Sequence, residues 1–276
     1  MMISADEYQA FRDLLNAKTG ILLGDNKQYL VSSRLTAYMK ELQVESFSDL
    51  INKIKQPFNE AILQQVIDRM TTNETLWFRD SFPFEYLLKH ILPEFKAQNK
   101  SRVNIWCAAC SSGQEPYSIA MAIDEANNGV MRGKLPLQID IMATDISSRM
   151  LQQAKNGEYQ SLEVTRGLSP QRLQQYFEQA SDNSYVIKPS LRNKVRFSTL
   201  NLMTTPYRIG AQCDIIFCRN VLIYFSAELK VKVIEALADC LKPGGYLFLG
   251  ASESMPPAIK AFEMVRCNPG LAYRKR

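Results

Sequence analysis

The fold of this chain is decided by residues 103–117, which read VNIWCAACSSGQEPY. A short apolar strand is followed there by a loop of small residues with one glycine, and then by a helix. A second apolar strand, LQIDIMA, comes next and leads into Thr144 and Asp145. A strand, a helix and a second strand of this kind form the βαβ unit that opens a parallel α/β sheet. Ligands bind open sheets of this type at the carboxyl ends of the strands.

The loop between these two strands indicates the class of ligand. It lacks the three glycines of a pyrophosphate-binding loop, and Glu115 at its end would repel a phosphate. A ligand with an ammonium group for Glu115 and a ribose diol for Asp145 fits, and S-adenosylmethionine carries both. A purely structural alternative stays open. Glu115 would then complement a helix that begins at Pro116, and Asp145 would cap a helix that begins near Ile146.

Composition places the chain among cytoplasmic globular proteins. With 276 residues and 46% hydrophobic content, it can bury the cores of two domains. It has no apolar run of the roughly 18 residues that a membrane helix needs, and Asp6 and Glu7 stand where a signal peptide would be basic and then apolar. The net charge of +5 is scattered along the chain, so nucleic-acid binding is not expected and an acidic protein partner fits.

The cysteines suggest a rival function. Cys107 and Cys110 form a lone CxxC pair, and His90 is the single histidine, so no metal site is expected. A CxxC pair after a strand also resembles a thioredoxin-like redox pair. In a redox protein the helix would begin at the first cysteine, whereas residues 111–113 and Pro116 keep this chain in a loop. We therefore expect two free thiols in a loop that packs on a ligand.

Residues 1–70 are predicted to form a separate domain of four short helices. The helices open at Ser4 with Glu7 as a capping box, near Asn26, at Ser46 with Asp49, and at Pro57, and Gly20 ends the first helix. The second helix carries Lys27, Arg34 and Lys40. This basic face is either an ordinary solvated surface or a docking surface for an acidic helix.

The segment TTNETLWFRD, residues 71–80, has an odd composition for a plain linker. Three poor helix formers precede an apolar cluster that ends on Arg79. Either the segment is a packed wall with a charged tip, or it is an apolar staple between domains with Arg79 in solvent.

The rest of the chain continues the sheet. An excursion at 157–193 contains a helix opened by Ser169 and a short strand, and VRFSTLNL then returns to the sheet. The apolar run CDIIFC at 213–218 is typical of a buried parallel strand. The turn at 242–245 should precede the strand YLFLG, and the turn at 268–270 predicts an antiparallel final pair.

Several motifs in this order resemble the chemotaxis receptor methyltransferase (CheR) family. They are TTNETLWFRD, SSGQEPYSIA, ATDIS, the pair Asn201 and Leu202, FCRNVLIYF and LKPGGYLFLG. The likeness covers nearly the whole chain. It implies an all-α N-terminal domain (1–70), a linker at the cofactor site (71–81), and a Rossmann-like class I methyltransferase domain (82–276). In that domain the sheet is mostly parallel with an antiparallel last strand, and a small subdomain is inserted at 157–193.

The resemblance implies a monomeric enzyme that transfers a methyl group from S-adenosylmethionine to glutamate side chains of chemoreceptors. The products are glutamyl methyl esters, which serve chemotaxis adaptation, and S-adenosylhomocysteine. By motif position, the cofactor contacts would be Asn73, Thr75, Arg79, Glu115, Asp145, Asn201, Leu202, Arg219 and Asn220, with Tyr224 beside the transferring methyl. Lys27, Arg34 and Lys40 would dock the helical cytoplasmic domain of the receptor, although family members often have a denser arginine cluster there. In some members the small subdomain binds a receptor-tail peptide at a sheet edge.

The implied chemistry is an in-line displacement that needs no general base. A free glutamate, with a pKa of about 4.3, is already ionised near neutral pH. Arg79 and Tyr224 are the catalytic candidates. Arg79 would draw the substrate carboxylate in or order the loop, and Tyr224 would orient the carboxylate. Two alternatives stay open: a methyltransferase of the same fold acting on RNA or another acceptor, and a receptor-binding protein without activity. The chain lacks an Asn-Pro-Pro-Tyr type base pocket after CDIIFC, which argues against RNA.

Overall fold

The computed structural model of the protein describes residues 2–128 and 137–276. Four helices come first: α1 (Ala5–Thr19), α2 (Gln28–Glu41), α3 (Phe47–Lys55) and α4 (Glu60–Met70). The capping box is confirmed, because the Ser4 hydroxyl accepts from the Glu7 N–H and the Glu7 carboxylate accepts from the Ser4 N–H. Gly20 ends α1 with a φ of +75°. The apolar faces of the four helices share one core, which includes Phe11, Leu35 and Phe47.

The prediction that Pro57 opens the fourth helix is wrong. Phe58 has a φ of +69°, and a left-handed residue interrupts a right-handed helix. The Asn59 side chain donates to the Lys53 carbonyl at 2.8 Å, so residues 56–59 form a turn. Helix α4 therefore begins only at Glu60.

The strands of the remaining chain form two sheets. They are β1 (Arg102–Ala108), β2 (Gln138–Asp145), β3 (Glu158–Gln160), β4 (Phe177–Ser181), β5 (Ser184–Ile187), β6 (Val195–Thr199), β7 (Cys213–Cys218), β8 (Leu241–Leu249), β9 (Phe262–Arg266) and β10 (Leu271–Lys275). Over the described ranges, the main sheet has the order β6-β2-β1-β7-β8-β10-β9. Its first five strands are parallel, and β10 runs antiparallel to both of its neighbours. The predicted fold class, a mostly parallel sheet with an antiparallel last strand, is confirmed.

Helices connect and cover the strands. They are α5 (Phe82–Tyr86), α6 (Leu92–Ala97), α7 (Gln114–Asn128), α8 (Ser148–Asn156), α9 (Ser161–Val164), α10 (Pro170–Tyr176), α11 (Pro189–Arg192) and α12 (Ala227–Cys240). A π-helical turn at Leu87–Ile91 joins α5 to α6, and a 3₁₀ turn at Leu222–Tyr224 follows β7. Every residue of β7 is buried, as expected for a parallel strand covered on both faces.

Two predicted boundaries are wrong. Helix α7 begins at Gln114 rather than Pro116, because the Gly113 carbonyl already accepts the Tyr117 N–H at 3.1 Å. Strand β8 begins at Leu241, and the predicted turn at 242–245 is an irregularity inside this strand. Its backbone passes so close to β7 that a Cβ on Gly245 would lie 2.8 Å from the Asp214 carbonyl oxygen. The two glycines therefore permit a bulge instead of ending a strand.

The inserted segment and the linker pack together. Strands β3, β5 and β4 form a small antiparallel sheet, with α9, α10 and α11 around it. Trp77 of the linker is fully buried against this unit. Its backbone N–H donates to the Arg166 carbonyl and its indole N–H to the Glu163 carbonyl, each at 3.1 Å. The linker is thus a packed segment that is hydrogen-bonded to the inserted unit.

In the two ranges that the structure describes, no helix combines the length and apolar character needed to cross a membrane.

Candidate cofactor and catalytic site

A cavity of about 350 Å³ lies at the carboxyl ends of the parallel strands, between the main sheet, the linker and the helical domain. The nine predicted cofactor contacts all line it, and so does Tyr224: Asn73, Thr75, Arg79, Glu115, Asp145, Asn201, Leu202, Arg219 and Asn220. Its volume falls within the range of about 300 to 1,000 Å³ that is usual for small-molecule sites. With the lining residues of the helical domain, between positions 19 and 30, six separate segments of the sequence meet around one space.

Glu115 and Arg219 form an ion pair in this cavity. The guanidinium of Arg219, whose side chain is 2% exposed, donates to Glu115 at 2.9 Å and to Asp80 at 2.6 Å. Burial raises the pKa of Glu115, and the positive charge of Arg219 opposes that rise. The pair does not satisfy every donor, since the buried Arg219 Nε has no hydrogen-bond partner among the described residues.

The unpaired Arg219 Nε shows that the residues present fit an amino-acid ligand. A buried donor without an acceptor costs free energy, and a ligand carboxylate would remove this cost. The Glu115 side chain, 14% exposed, is available beside it for an ammonium group. Neighbouring opposite charges of this kind suit the methionine end of S-adenosylmethionine.

Asp80 is a site residue that the sequence analysis missed. It stands next to Arg79, but its ion pair to Arg219 spans 139 positions of sequence. Asp80 has a φ of +65°, and Phe78 and Ser81 also have positive φ values. This strained backbone turns the Asp80 carboxylate towards Arg219, a placement that the sequence pattern did not signal.

Asp145 ends β2 and is held by two backbone donors. Its carboxylate accepts the Ser111 N–H at 2.7 Å and the Ser147 N–H at 2.9 Å. Burial raises the pKa of Asp145, and these donors oppose the rise. The capping alternative is wrong, because Ser147 is the N-cap of α8 and the helix begins at Ser148. Asp145 is therefore fixed at the cavity wall rather than used to cap a helix.

The loop after β7 carries Arg219, Asn220 and Tyr224, and Glu253 braces it. The Glu253 carboxylate accepts backbone N–H groups from Asn220 at 2.7 Å, Gly250 at 2.7 Å and Ile223 at 3.2 Å. Asn220 has a φ of +59°, which turns the chain sharply at the end of the strand. The sequence analysis also missed Glu253, which lies after β8 and acts on a loop 33 residues earlier.

The helical domain closes one side of the cavity. The Leu22 N–H donates to the Tyr224 carbonyl at 2.9 Å, and the Asn201 side chain donates to the Lys18 carbonyl at 2.8 Å. Arg79 is half-buried at the cavity and donates to the Glu74 carbonyl at 3.2 Å. The positive charge of Arg79 also opposes the rise in the pKa of Glu115 and so stabilises its ionised form.

The three predicted docking residues have different surroundings. Lys27 is exposed, precedes the first residue of α2 and borders the cavity. Arg34 is half-buried and donates to the Met70 carbonyl at 2.8 Å and more weakly to that of Thr71. Lys40 is exposed and, like Arg34, is not among the described residues that line the cavity. Arg34 thus supports the start of the linker, whatever else it does.

The thiols of the CxxC pair are free and buried. Burial raises the pKa of both Cys107 and Cys110 well above the usual range, so neither is a thiolate near neutral pH. A redox or nucleophilic role needs a thiolate, which this environment disfavours. Among the residues that the structure describes, no group of three or more side chains could hold a metal ion.

Comparison with known proteins identifies the family. Residues 6–71 match the model of the CheR methyltransferase all-alpha domain, and residues 73–271 match that of the CheR methyltransferase SAM binding domain. The chain is 47% identical over 271 residues to a chemotaxis protein methyltransferase of Pseudomonas putida, with 98% of each chain covered. It is 49% identical over 272 residues to that of Vibrio parahaemolyticus, covering 99% of this chain and 98% of the relative. The chain therefore belongs to the CheR methyltransferase family and contains its S-adenosylmethionine-binding domain.

Proposed function

We propose that the protein is a cytoplasmic protein-glutamate O-methyltransferase that methylates chemoreceptors. To the family membership, this proposal adds a substrate, an acceptor atom and a role for each residue of the site. It is supported by relatives that are named chemotaxis protein methyltransferases and that match almost the full chain. The main observation in support of the proposal is that one cavity is lined by all nine predicted cofactor contacts and by Tyr224.

The roles follow from the chemistry of the cavity. Glu115 binds the ammonium group of the cofactor, Arg219 binds its carboxylate through the unpaired Nε, and Asp145 accepts from the ribose hydroxyls. When bound, S-adenosylmethionine supplies a methyl group on a positively charged sulfur. The linker residues Asn73 and Thr75, together with the loop residues Asn201, Leu202 and Asn220, complete the walls.

The transfer itself needs alignment rather than proton transfer. A carboxylate oxygen of the substrate glutamate forms a bond to the methyl carbon as the bond from that carbon to sulfur breaks, and no proton moves. Arg79 draws the carboxylate towards the cavity, and Tyr224 orients it. Holding two reactants in line can supply an effective concentration of about 10⁵ M or more, which is a sufficient source of rate. This accounts for an active centre without a histidine.

The receptor is proposed to approach from the side of the helical domain. Lys27 is exposed at the cavity border and can attract acidic residues that flank the target glutamate. Lys40 lies farther along α2, and Arg34 contributes while it also binds the carbonyls of Met70 and Thr71. The enzyme acts as a monomer on the helical cytoplasmic domain of the receptor.

A labelling experiment tests the acceptor class. The protein is incubated with methyl-labelled S-adenosylmethionine and either receptor-containing membranes or total RNA. We expect label in the receptor fraction that mild base releases as methanol, because esters hydrolyse under conditions in which methylated amines survive. Base-stable label, or label in RNA alone, would contradict the proposal while leaving the family assignment intact.

A further inference from the structure

Asp68 of α4 is a buried acid outside the set of residues that line the cavity. It is 2% exposed. One of its carboxylate oxygens accepts the Ser147 hydroxyl at 2.9 Å and the Gln64 amide at 3.1 Å, and the other accepts the Ser148 hydroxyl at 2.6 Å. Within residues 2–128 and 137–276 no ion pair joins this carboxylate to a lysine or arginine side chain, and Arg149 donates only to the backbone carbonyl of Asp68, at 3.4 Å.

The two serines lie two and three residues after Asp145. Ser147 makes three contacts: its N–H donates to the Asp145 carboxylate at 2.9 Å, and its hydroxyl donates to Asp68 while accepting the Met150 N–H as the N-cap of α8. Gln64 of the same helix donates to the Ile146 carbonyl at 2.9 Å. Helix α4 therefore grips each of the three residues after Asp145, which makes the helical domain part of the support of this acid.

Joining two domains through a buried carboxylate is energetically unfavourable. Burying a charge without a cation costs free energy, and apolar side chains of similar size would fasten the same surfaces without this cost. The start of α8 offsets part of it, because a helix N-terminus stabilises a nearby anion. What the carboxylate adds over an apolar contact is direction: it fixes the Ser147 hydroxyl, and with it the N–H that faces Asp145.

We propose that Asp68 is a positioning residue for the cofactor site and acts through Ser147 on Asp145. The proposal rests on the proposed contact between Asp145 and the cofactor ribose. It gives the helical domain a second task besides receptor docking, which is to set the affinity for the cofactor. Asp68 itself contacts neither the cofactor nor the methyl acceptor.

A double-mutant cycle tests the proposal by calorimetric titration with S-adenosylhomocysteine, without a methyl acceptor. We expect Asp68→Ala to weaken binding about tenfold, because one support of a charged hydrogen bond is lost. In an Asp145→Asn background the same change should weaken binding less than about twofold, because the residue it acts through no longer has its charge. Equal losses in both backgrounds, or unchanged affinity after Asp68→Ala alone, would overturn the proposal.

The controls separate positioning from general stability. Glu7→Gln changes another acid of the helical domain that accepts serine N–H and hydroxyl groups, at Ser4 and Ser48, away from the cavity. It should leave affinity unchanged. Asp68→Asn is the second variant, for use if Asp68→Ala does not fold. It keeps the size of the side chain and one acceptor oxygen, so it should fold and show a smaller loss of affinity. Unchanged affinity in this variant would equally overturn the proposal.

A measurement on the ligand-free protein adds a second readout. Hydrogen–deuterium exchange at residues 145–150 should speed up in Asp68→Ala and not in Glu7→Gln. If the native protein failed to bind S-adenosylhomocysteine, the proposed function would fail. If Asp145→Asn alone had no effect, the ribose contact would fail. An effect of Asp145→Asn together with unaltered exchange and affinity in the Asp68 variants would reject this inference alone.

Discussion

Glu115 and Asp145 are both buried acids of the cavity, but different partners hold them. Glu115 faces the charged side chain of Arg219, whereas Asp145 accepts backbone N–H groups from Ser111 and Ser147. The Glu115 ion pair therefore has to accommodate a ligand ammonium group, while Asp145 already has the orientation needed to accept from hydroxyl groups. The two acids should accordingly respond in different ways to substitution.

Neutralising either acid should weaken cofactor binding. Charged hydrogen bonds contribute about 1.5 to 3 kcal/mol, so Glu115→Gln or Asp145→Asn should lower the affinity for S-adenosylmethionine about ten- to a hundredfold. Glu115→Gln also removes a partner of buried Arg219, so it should lower the melting temperature more than Asp145→Asn does. Calorimetry and thermal unfolding measure the two effects. Native affinity in both variants would remove these acids from the cofactor site.

The raised pKa values predict how cofactor affinity depends on pH. Burial raises the pKa of Glu115 and of Asp145, so protons compete with a cationic ligand at a higher pH than for ordinary carboxyl groups. Affinity should be complete above the raised pKa values and should fall as the pH falls through them. The ionised carboxyls oppose folding above these values, and this penalty disappears on acidification.

Titrations of S-adenosylhomocysteine at a series of pH values check this dependence. Glu115→Gln should flatten the acidic limb of the native profile, because one of the two titrating groups is gone. An acidic limb of the same midpoint and slope in native protein and variant would assign the effect to another group.

At the scale of the structural element, the loop after β7 depends on a single acid. Glu253 accepts three N–H groups from this loop and from the end of β8, and glutamine cannot replace it, since its amide NH₂ would face donors. Glu253→Gln should therefore displace Tyr224 and lower kcat about ten- to a hundredfold, as misplacements of about 1 Å do. Glu228→Gln, an exposed acid at the start of α12, is the matched control. A lower melting temperature with native kcat would limit Glu253 to stability.

Helix α2 and the residue before it are proposed to guide the receptor. Lys27→Glu should raise the KM for receptor about three- to tenfold at low salt and reduce the salt dependence, because a border charge acts on encounter more than on chemistry. Cofactor affinity should change little. Lys55→Glu makes the same charge change at an exposed position of α3 and should leave the KM unaltered.

Arg34→Glu is a less clean test of docking, because Arg34 also holds the carbonyls at the end of α4. Its effect should include some loss of stability. If charge reversal at both Lys27 and Arg34 leaves the steady-state kinetic constants unchanged, receptor recognition lies elsewhere, with the 157–193 subdomain as the next candidate.

For the whole molecule, local patterns predicted the fold well. The βαβ unit around residues 103–145, the buried run at 213–218 and the antiparallel final pair all rest on neighbouring residues, and all are confirmed. The errors at Pro57, Pro116 and the 242–245 turn have separate origins. They are the left-handed Phe58, the backbone hydrogen bond from Tyr117 to Gly113, and the close contact between β7 and β8. Residue type alone does not specify any of them.

The sequence predicted only those cavity residues that belong to recognisable motifs. Motif positions brought together its nine cofactor candidates and Tyr224. They did not reveal Asp80, Asp68 or Glu253, whose partners lie 139, 79 and 33 positions away in sequence. These acids act by orienting other residues, so their positions become meaningful only once the chain is folded.

The proposed reaction is methyl transfer to glutamate from a cofactor held in this cavity. The most direct measurement is peptide mass spectrometry of a chemoreceptor cytoplasmic domain from the same organism, after incubation with the protein and S-adenosylmethionine carrying a deuterated methyl group. We expect deuterated methyl esters on glutamate side chains, lost on mild base treatment and greatly reduced with the Asp145→Asn enzyme at limiting cofactor. A deuterated methyl group on lysine, on another nitrogen or sulfur atom, or on no receptor residue although the cofactor binds would contradict it.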